Sequence, residues 1–405
     1  MKKSAFLFAL GFLTISMALS GQILTNYTTA DGLPDNFICG GVAVDEDNNI
    51  WFGTAAGVAR FDGSNWTVFD TGDGLPDNYI LCIAVDDSNH VWAGTNFGVS
   101  EYDGSSWETL DMSDGLIDNT VKYIECDGNN RMMFATGSGL SVYNGAFTNY
   151  TSSNGLPADD VNYLKRDRDN GDVWIGTMLG GFLRISGSFF YDQYTTSNMP
   201  DLADNSVFAI EEDLQHNLWI GTWYGLTKVG PSFNWLADYD TSGALINNYV
   251  RDLKTDSYGG LWIACFADYN GEGNVSYYNG LGFTHFTINE GLADKQVIRL
   301  AVDDDDDVWV ATGNGVTRIS GVAGISEGAE EQLLHIAPNP AGDQLSVHSD
   351  IPGEICIYSV NGTLVWSEVM QQQQYVISTQ TWPRGMYLLR WTNGTDSRTE
   401  KFLLN

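Results

Sequence analysis

Along most of this chain the apolar residues fall in short runs separated by polar, glycine-containing turns. Residues 79–85 form one such run, and the turn Asp86-Asp87-Ser88-Asn89-His90 follows it. A second run covers residues 91–95, Asn96-Phe97-Gly98 turns into a third at 99–102, Asp103-Gly104 turns again, and a fourth begins at Trp107. Asx side chains in such turns can bond the backbone, and Asp-Gly between apolar runs is a strong hairpin signal. The pattern predicts four short strands per unit. No stretch carries a helical period of useful length, so the expected class is all-β.

The unit recurs. Val91-Trp92-Ala93-Gly94-Thr95 has counterparts in Ile50-Trp51-Phe52-Gly53-Thr54, Val173-Trp174-Ile175-Gly176-Thr177 and Leu218-Trp219-Ile220-Gly221-Thr222. Leu261-Trp262-Ile263-Ala264-Cys265 and Val308-Trp309-Val310-Ala311-Thr312 are slightly altered copies, and Met132-Met133-Phe134-Ala135-Thr136 is a degenerate one. A period of a little over forty residues built from short strands is the signature of propeller blades. Copies at positions 51, 92, 133, 174, 219, 262 and 309 predict a seven-bladed β-propeller over residues 22–320. Large side chains at 69, 110, 150 and 286 each stand five before a linker glycine, and Tyr27 stands five before Gly32. The segment around Tyr27 is thus a last strand without a blade of its own. The final blade lacks that strand, so the N-terminal segment is expected to complete it and cover the open edges.

These units resemble the two-component regulator propeller repeats of periplasmic sensor regions in Bacteroidetes hybrid signalling proteins. The resemblance rests on Asp31-Gly32-Leu33-Pro34-Asp35-Asn36, on Asp73-Gly74-Leu75-Pro76-Asp77-Asn78 and on the tryptophan core of most blades. Sensors of that kind continue into a membrane span and a kinase. This sequence shows neither, so signalling in that manner is not expected of this polypeptide by itself.

Both ends read as delivery signals. Lys2 and Lys3 precede the apolar run at 5–13, and small residues lie around Ala18, Ser20 and Gly21, which reads as a secretory signal peptide over residues 1–20. No later stretch is long and apolar enough for a membrane helix. After Ser320 the repeat stops, residues 321–334 read as a linker, and residues 335–405 as a small immunoglobulin-like β-sandwich. That last segment resembles the C-terminal sorting domain of the type IX secretion system. The resemblance is carried by Pro338, Asn339 and Pro340, by Gly362, by Gly385 and Tyr387, and by Lys401 in the terminal Lys-Phe-Leu. It implies the type IX secretion machinery as partner, passage through the periplasm, and an outer-surface or secreted destination.

A formal net charge of −33 excludes nucleic acid and anionic membranes as partners of the overall surface. Five cysteines without recurrent spacing do not suggest a disulfide framework or a zinc site. The chain has no GxSxG, HExxH or phosphate-cradling glycine loop. Function is expected where the repeats diverge, on the face shared by the turns after the tryptophan strands and the linkers between blades. That face offers Asn96, Phe97, Met178, Trp223, Tyr224 and Tyr269 beside Asp77 and Asn78. Aromatics among amides and carboxylates suit a glycan or a protein segment. Asp167, Asp169 and Asp172, and Asp303 and Asp305, supply oxygen ligands of the type calcium takes, in turns where Asp and Asn recur for turn reasons; no other cofactor is suggested. The reading is a non-enzymatic recognition protein. A carbohydrate-active lyase or hydrolase, and a structural or adhesive surface component, are the alternatives.

Overall fold

In the computed structural model the described residues are 22–187, 189–190, 193–267, 271–280, 282–321, 335–337, 344–348, 353–359, 363–370, 374–392 and 397–404. The expected signal peptide and most of the expected linker lie outside them. The chain divides into two compact units, Met1–Gly324 and Ile325–Asn405.

The described part of the first unit is a propeller-like array of seven four-stranded antiparallel sheets. The first runs from Gly41–Val44 through Ile50–Thr54 and Gly57–Phe61 to Trp66–Phe69, and the next five repeat that order along the chain. The seventh combines Val297–Val302, Val308–Thr312 and Gly315–Ser320 with Ile23–Tyr27 from the other end. Leading strands of successive sheets lie side by side, and Val297–Val302 packs beside Gly41–Val44, closing the circuit. In the second sheet the leading strand is Cys82–Val85, shorter than the run at 79–85. Leu81 still donates to the Gly94 carbonyl at 2.8 Å, while Tyr79 turns out of the ladder toward the centre.

One set of contacts repeats because the sequence does. The tryptophan of the second strand packs against the following sheet: Trp51 joins Val91, Ala93 and Trp107 in one core cluster. A buried indole removes on the order of 200 Å² from water, a gross gain of roughly 5 kcal/mol before conformational entropy is counted. In five copies its ring N–H is satisfied by the aspartate six positions earlier, as in Trp51 Nε1 to Asp45 at 2.7 Å and Trp92 Nε1 to Asp86 at 2.9 Å. After that strand, the Thr95 hydroxyl accepts from Phe97 N and donates to Gly98 O, which pins the turn. Gly98 has φ +120°, and a Cβ there would lie 2.5 Å from the Leu110 carbonyl. Glycine is required on both counts.

The described strands of the second unit form a sheet of four, Leu364–Met370, Gly353–Ser359, Gly385–Thr392 and Ser397–Leu404, and a sheet of three, His335–Ala337, Gln344–His348 and Gln374–Ser378. Alternate residues point inward. Leu345, Val347, Ile355, Ile357, Ile377, Tyr387, Leu389 and Trp391 make one core between them.

Candidate functional site

Each leading strand of the first unit begins at the same end of the circuit, where its linker is held by two Asx side chains in five copies and by one, Asp159 or Asp294, in the fourth and seventh. In the second linker Asp77 Oδ1 accepts from Tyr79 N at 3.2 Å, and Asn78 Oδ1 accepts from Thr71 N at 2.8 Å. The same pair of bonds recurs at Asp35 and Asn36, Asp118 and Asn119, Asp204 and Asn205, and Asn247 and Asn248. Linker and turn of adjacent sheets are stitched together, for Gly98 N donates to Asn119 O at 2.9 Å and Gly315 N to Asn36 O at 2.6 Å.

Past each linker the chain alternates. The second residue after the linker pair is always apolar and fully buried: Ile38, Ile80, Val121, Val161, Val207, Val250 and Val297. The third residue, and in five of the seven copies the first, faces the centre instead, Asp160 and Ser206 standing outside the lining, and these residues differ from copy to copy. They enclose a cavity of about 440 Å³ to which all seven sheets contribute, within the usual range for small-ligand sites.

One wall of the cavity is aromatic. Tyr249 in that wall is stacked on Trp223, which stands outside the lining, with ring centroids 4.9 Å apart and planes 3° from parallel. Phe208 meets both edge-on, and Phe266 meets Tyr249 edge-on at 5.6 Å. Across the cavity Phe37 and Tyr79 form a second edge-on pair at 6.4 Å. The charged side chains of the lining are Lys122, Arg251 and Arg299. Lys122 pairs with Asp160. Arg251 lies over the Phe266 ring at 4.9 Å, and Arg299 over Tyr123 at 5.1 Å, donating to the Arg251 carbonyl at 2.8 Å.

Deeper in the channel, Asp252 accepts from Tyr163 Oη at 2.8 Å and Leu300 N at 2.9 Å, with Lys254 at 3.6 Å. Lys165 reaches Glu211 at 2.8 Å. Burial pushes the Glu125 carboxyl up to about 6, against the opposing effect of Lys165 and Lys254. This layer is internally compensated and closes the cavity floor.

The structure places the expected site residues unevenly. Asn96 lines the cavity. Trp223 and Tyr224 are 45 % and 64 % exposed, Trp223 backed by Tyr249. Phe97 is 61 % exposed, outside the cavity lining. Met178 is half-buried and anchored through its N–H to Asp160 O. Tyr269 lies outside the described residues. Asp77 and Asn78 commit side-chain oxygens to holding the linker.

The carboxylates considered for calcium are spread over other tasks. Asp167 caps its own turn, Asp172 lies near Arg184, and Asp303 accepts from Trp309. Among the described residues the groups of three possible metal ligands are Asp86 with His90 and Glu101, and Asp169 with Glu212 and His216. Of the sorting residues, Gly385 has φ +142°, the Tyr387 hydroxyl donates to Pro383 O at 2.7 Å, and Lys401 lies in a strand. Pro338, Asn339, Pro340 and Gly362 lie outside the described residues.

Lys122, Phe208, Tyr249, Arg251, Phe266 and Arg299 were not anticipated. The signal for most of them was present: beside a fixed apolar position, the first and third residues after each linker vary between copies. Variation within a repeat marks the positions that packing leaves free.

Residues 335–405 match the family model of the secretion system C-terminal sorting domain, and residues 32–56, 74–97 and 244–267 match that of the two component regulator propeller. No curated protein sequence matches the chain. Among solved structures, PorZ of Porphyromonas gingivalis, a surface component of the type IX secretion system, superposes with a TM-score of 0.56 at 15% identity. That match covers 92% of this chain and 60% of PorZ, so this chain spans less than two thirds of it. Streptogramin B lyase superposes with a TM-score of 0.59 at 13% identity, over 74% of this chain and 97% of the lyase. YCF48 bound to D1 peptide gives 0.53 at 14% identity, over 74% and 94%. At such identities the likeness is one of fold.

Proposed function

Because this chain carries two-component regulator propeller repeats and a secretion-system C-terminal sorting domain, and is thereby a secreted or cell-surface protein, we propose that it acts there as a non-enzymatic recognition protein whose ligand sits in the channel mouth. In this reading residues 1–20 are a signal peptide, and residues 22–320 are one seven-bladed propeller whose last blade is completed by Ile23–Tyr27. Residues 321–334 are a linker, and the sheets of residues 335–405 are an immunoglobulin-like sandwich addressed to the type IX machinery.

The observation that carries the reading is the cavity of about 440 Å³, built mainly from the repeat positions that packing leaves free and walled by Phe208, Tyr249 and Phe266, with Trp223 stacked on Tyr249 outside the lining. Aromatic surface next to the amides of Asn96, Asn162 and Gln296 combines a large apolar contact with a few directional hydrogen bonds, the usual make-up of a ligand site.

The test is a thermal-shift screen of the protein against neutral and acidic oligosaccharides and short peptides. A ligand at about a hundred times its dissociation constant adds about 2.7 kcal/mol and raises the melting temperature by a few degrees. Trp223→Ala should abolish that shift while leaving the unliganded melting temperature in place. Loss of the fold in that variant would return Trp223 to a structural role, and a full shift in it would move the site elsewhere.

A further inference from the structure

The protein has 52 acidic residues against 19 lysines and arginines, yet the cavity lining contains three cations and no carboxylate. Chance placement on so acidic a chain would give the opposite sign. Lys122 is neutralised by Asp160. Among the described residues, Arg251 and Arg299 take part in no ion pair, whereas Lys165 and Lys254 below them do. Arg251 is held by the Phe266 face and Arg299 by the Tyr123 face, contacts that fix each guanidinium without consuming its positive charge. The two cations are also neighbours, joined through the Arg299 bond to the Arg251 carbonyl. Asp252 acts on both, strongly enough to hold Arg299 above its ordinary value but only weakly on Arg251, and its oxygens are also engaged by Tyr163, Leu300 N and Lys254. Burial together with the like charge of Arg299 pulls Arg251 below its ordinary value, which is the cost of two guanidiniums sharing a recess.

Resting on the recognition reading, we propose that the channel mouth takes an acidic oligosaccharide, with the carboxylate of one sugar residue facing the Arg251 and Arg299 guanidiniums and a neighbouring ring lying against the Phe208–Tyr249–Phe266 wall and reaching the exposed Trp223 beside it. The uncharged polar groups of the lining favour a sugar over an acidic peptide. Asn96, Thr120, Asn162 and Gln296 each offer both a donor and an acceptor, which matches hydroxyl groups that are themselves both. Guanidinium is the group suited to a carboxylate in a partly desolvated recess, since it is weakly hydrated and presents its donors as a fork.

The experiment is a calorimetric titration of the full protein with a panel of hexuronic-acid oligosaccharides, their carboxyl-reduced neutral counterparts, and a Glu-rich tripeptide. An acidic sugar is expected to bind about tenfold or more tightly than its reduced counterpart, and more weakly as salt rises. Arg251→Gln should remove that preference and Arg251→Lys should restore part of it, with the melting temperature of the free protein unchanged. If reduced sugars bind equally well and Arg251→Gln has no effect, the acid preference is overturned while the recognition site stands. Binding of the tripeptide alone would overturn the sugar class. Binding of none of the three would overturn this inference, and a blank screen with the wider panel would take the recognition reading with it.

Discussion

The link between a turn aspartate and the indole six residues later shows how one residue can be tied to its context. It forms at Trp51, Trp92, Trp219, Trp262 and Trp309, with donor–acceptor distances from 2.7 to 3.2 Å. In the third copy methionine replaces the indole, and Arg131 Nε supplies Asp127 with a donor at 2.7 Å instead. In the fourth the turn is one residue longer, Asp167 stands seven positions before Trp174, and the buried Trp174 Nε1 has no partner. Trp92→Phe should therefore cost about 1–3 kcal/mol more in urea unfolding than Trp174→Phe, since only the former leaves a buried carboxylate short of a donor. Gly98→Ala should destabilise by about 2 kcal/mol or more, because both φ and the Leu110 carbonyl oppose a side chain. His216 is raised above its ordinary value by Glu212, 2.7 Å from Nδ1, and by Asp169 at 3.2 Å. The stabilisation from this raised group is complete below the ordinary imidazole value and is lost as pH rises through the folded one. An NMR titration should place its midpoint above about 6.5, and Glu212→Gln should lower it.

At the scale of the element, the repeat made strand number and order readable, since each tryptophan copy marks one strand and each Asp-Gly or Asn-Gly type turn its neighbour. What sequence pattern missed was where leading strands begin. The run at 79–85 is uniformly apolar, so periodicity alone does not show that Tyr79 leaves the ladder to face the cavity. The Asp-Asn pairs lie at the site end as well, where Asp77 Oδ1 and Asn78 Oδ1 accept from Tyr79 N and Thr71 N and so hold the linker. The strand Ile23–Tyr27 has the longest reach of any element, pairing Ile23 with Ser320 and Tyr27 with Val316. Tyr27 also stacks on Trp309 at 5.5 Å and meets Phe61 and Trp66 of the first sheet. Removing residues 22–29 should leave Gly315–Ser320 as an unpaired sheet edge and lower the melting temperature by on the order of ten degrees in calorimetry.

For the whole molecule, charge is segregated: acids dominate the chain while the lining of the channel mouth carries cations, an arrangement invisible to net charge because it depends on which repeat positions meet at the centre. Glu125 belongs with Asp252 and Glu211 to the acids of the layer below the mouth, and burial pushes its carboxyl up to about 6. A folded value above the unfolded one, about 4.3, means that stability falls as pH rises through this interval. Glu125→Gln should thus raise the melting temperature by a few degrees at pH 8 and leave it unchanged at pH 4. The seventh sheet has a mechanical consequence for a chain delivered by its tail. The strand that leads toward the tail, Gly315–Ser320, is not an edge: Val308–Thr312 grips it along one side and Ile23–Tyr27 along the other, five residue pairs on each. A tug transmitted through the tail therefore loads two ladders at once instead of peeling one, and the clasp strand serves as the rivet that lets the tail be pulled without unravelling the wheel.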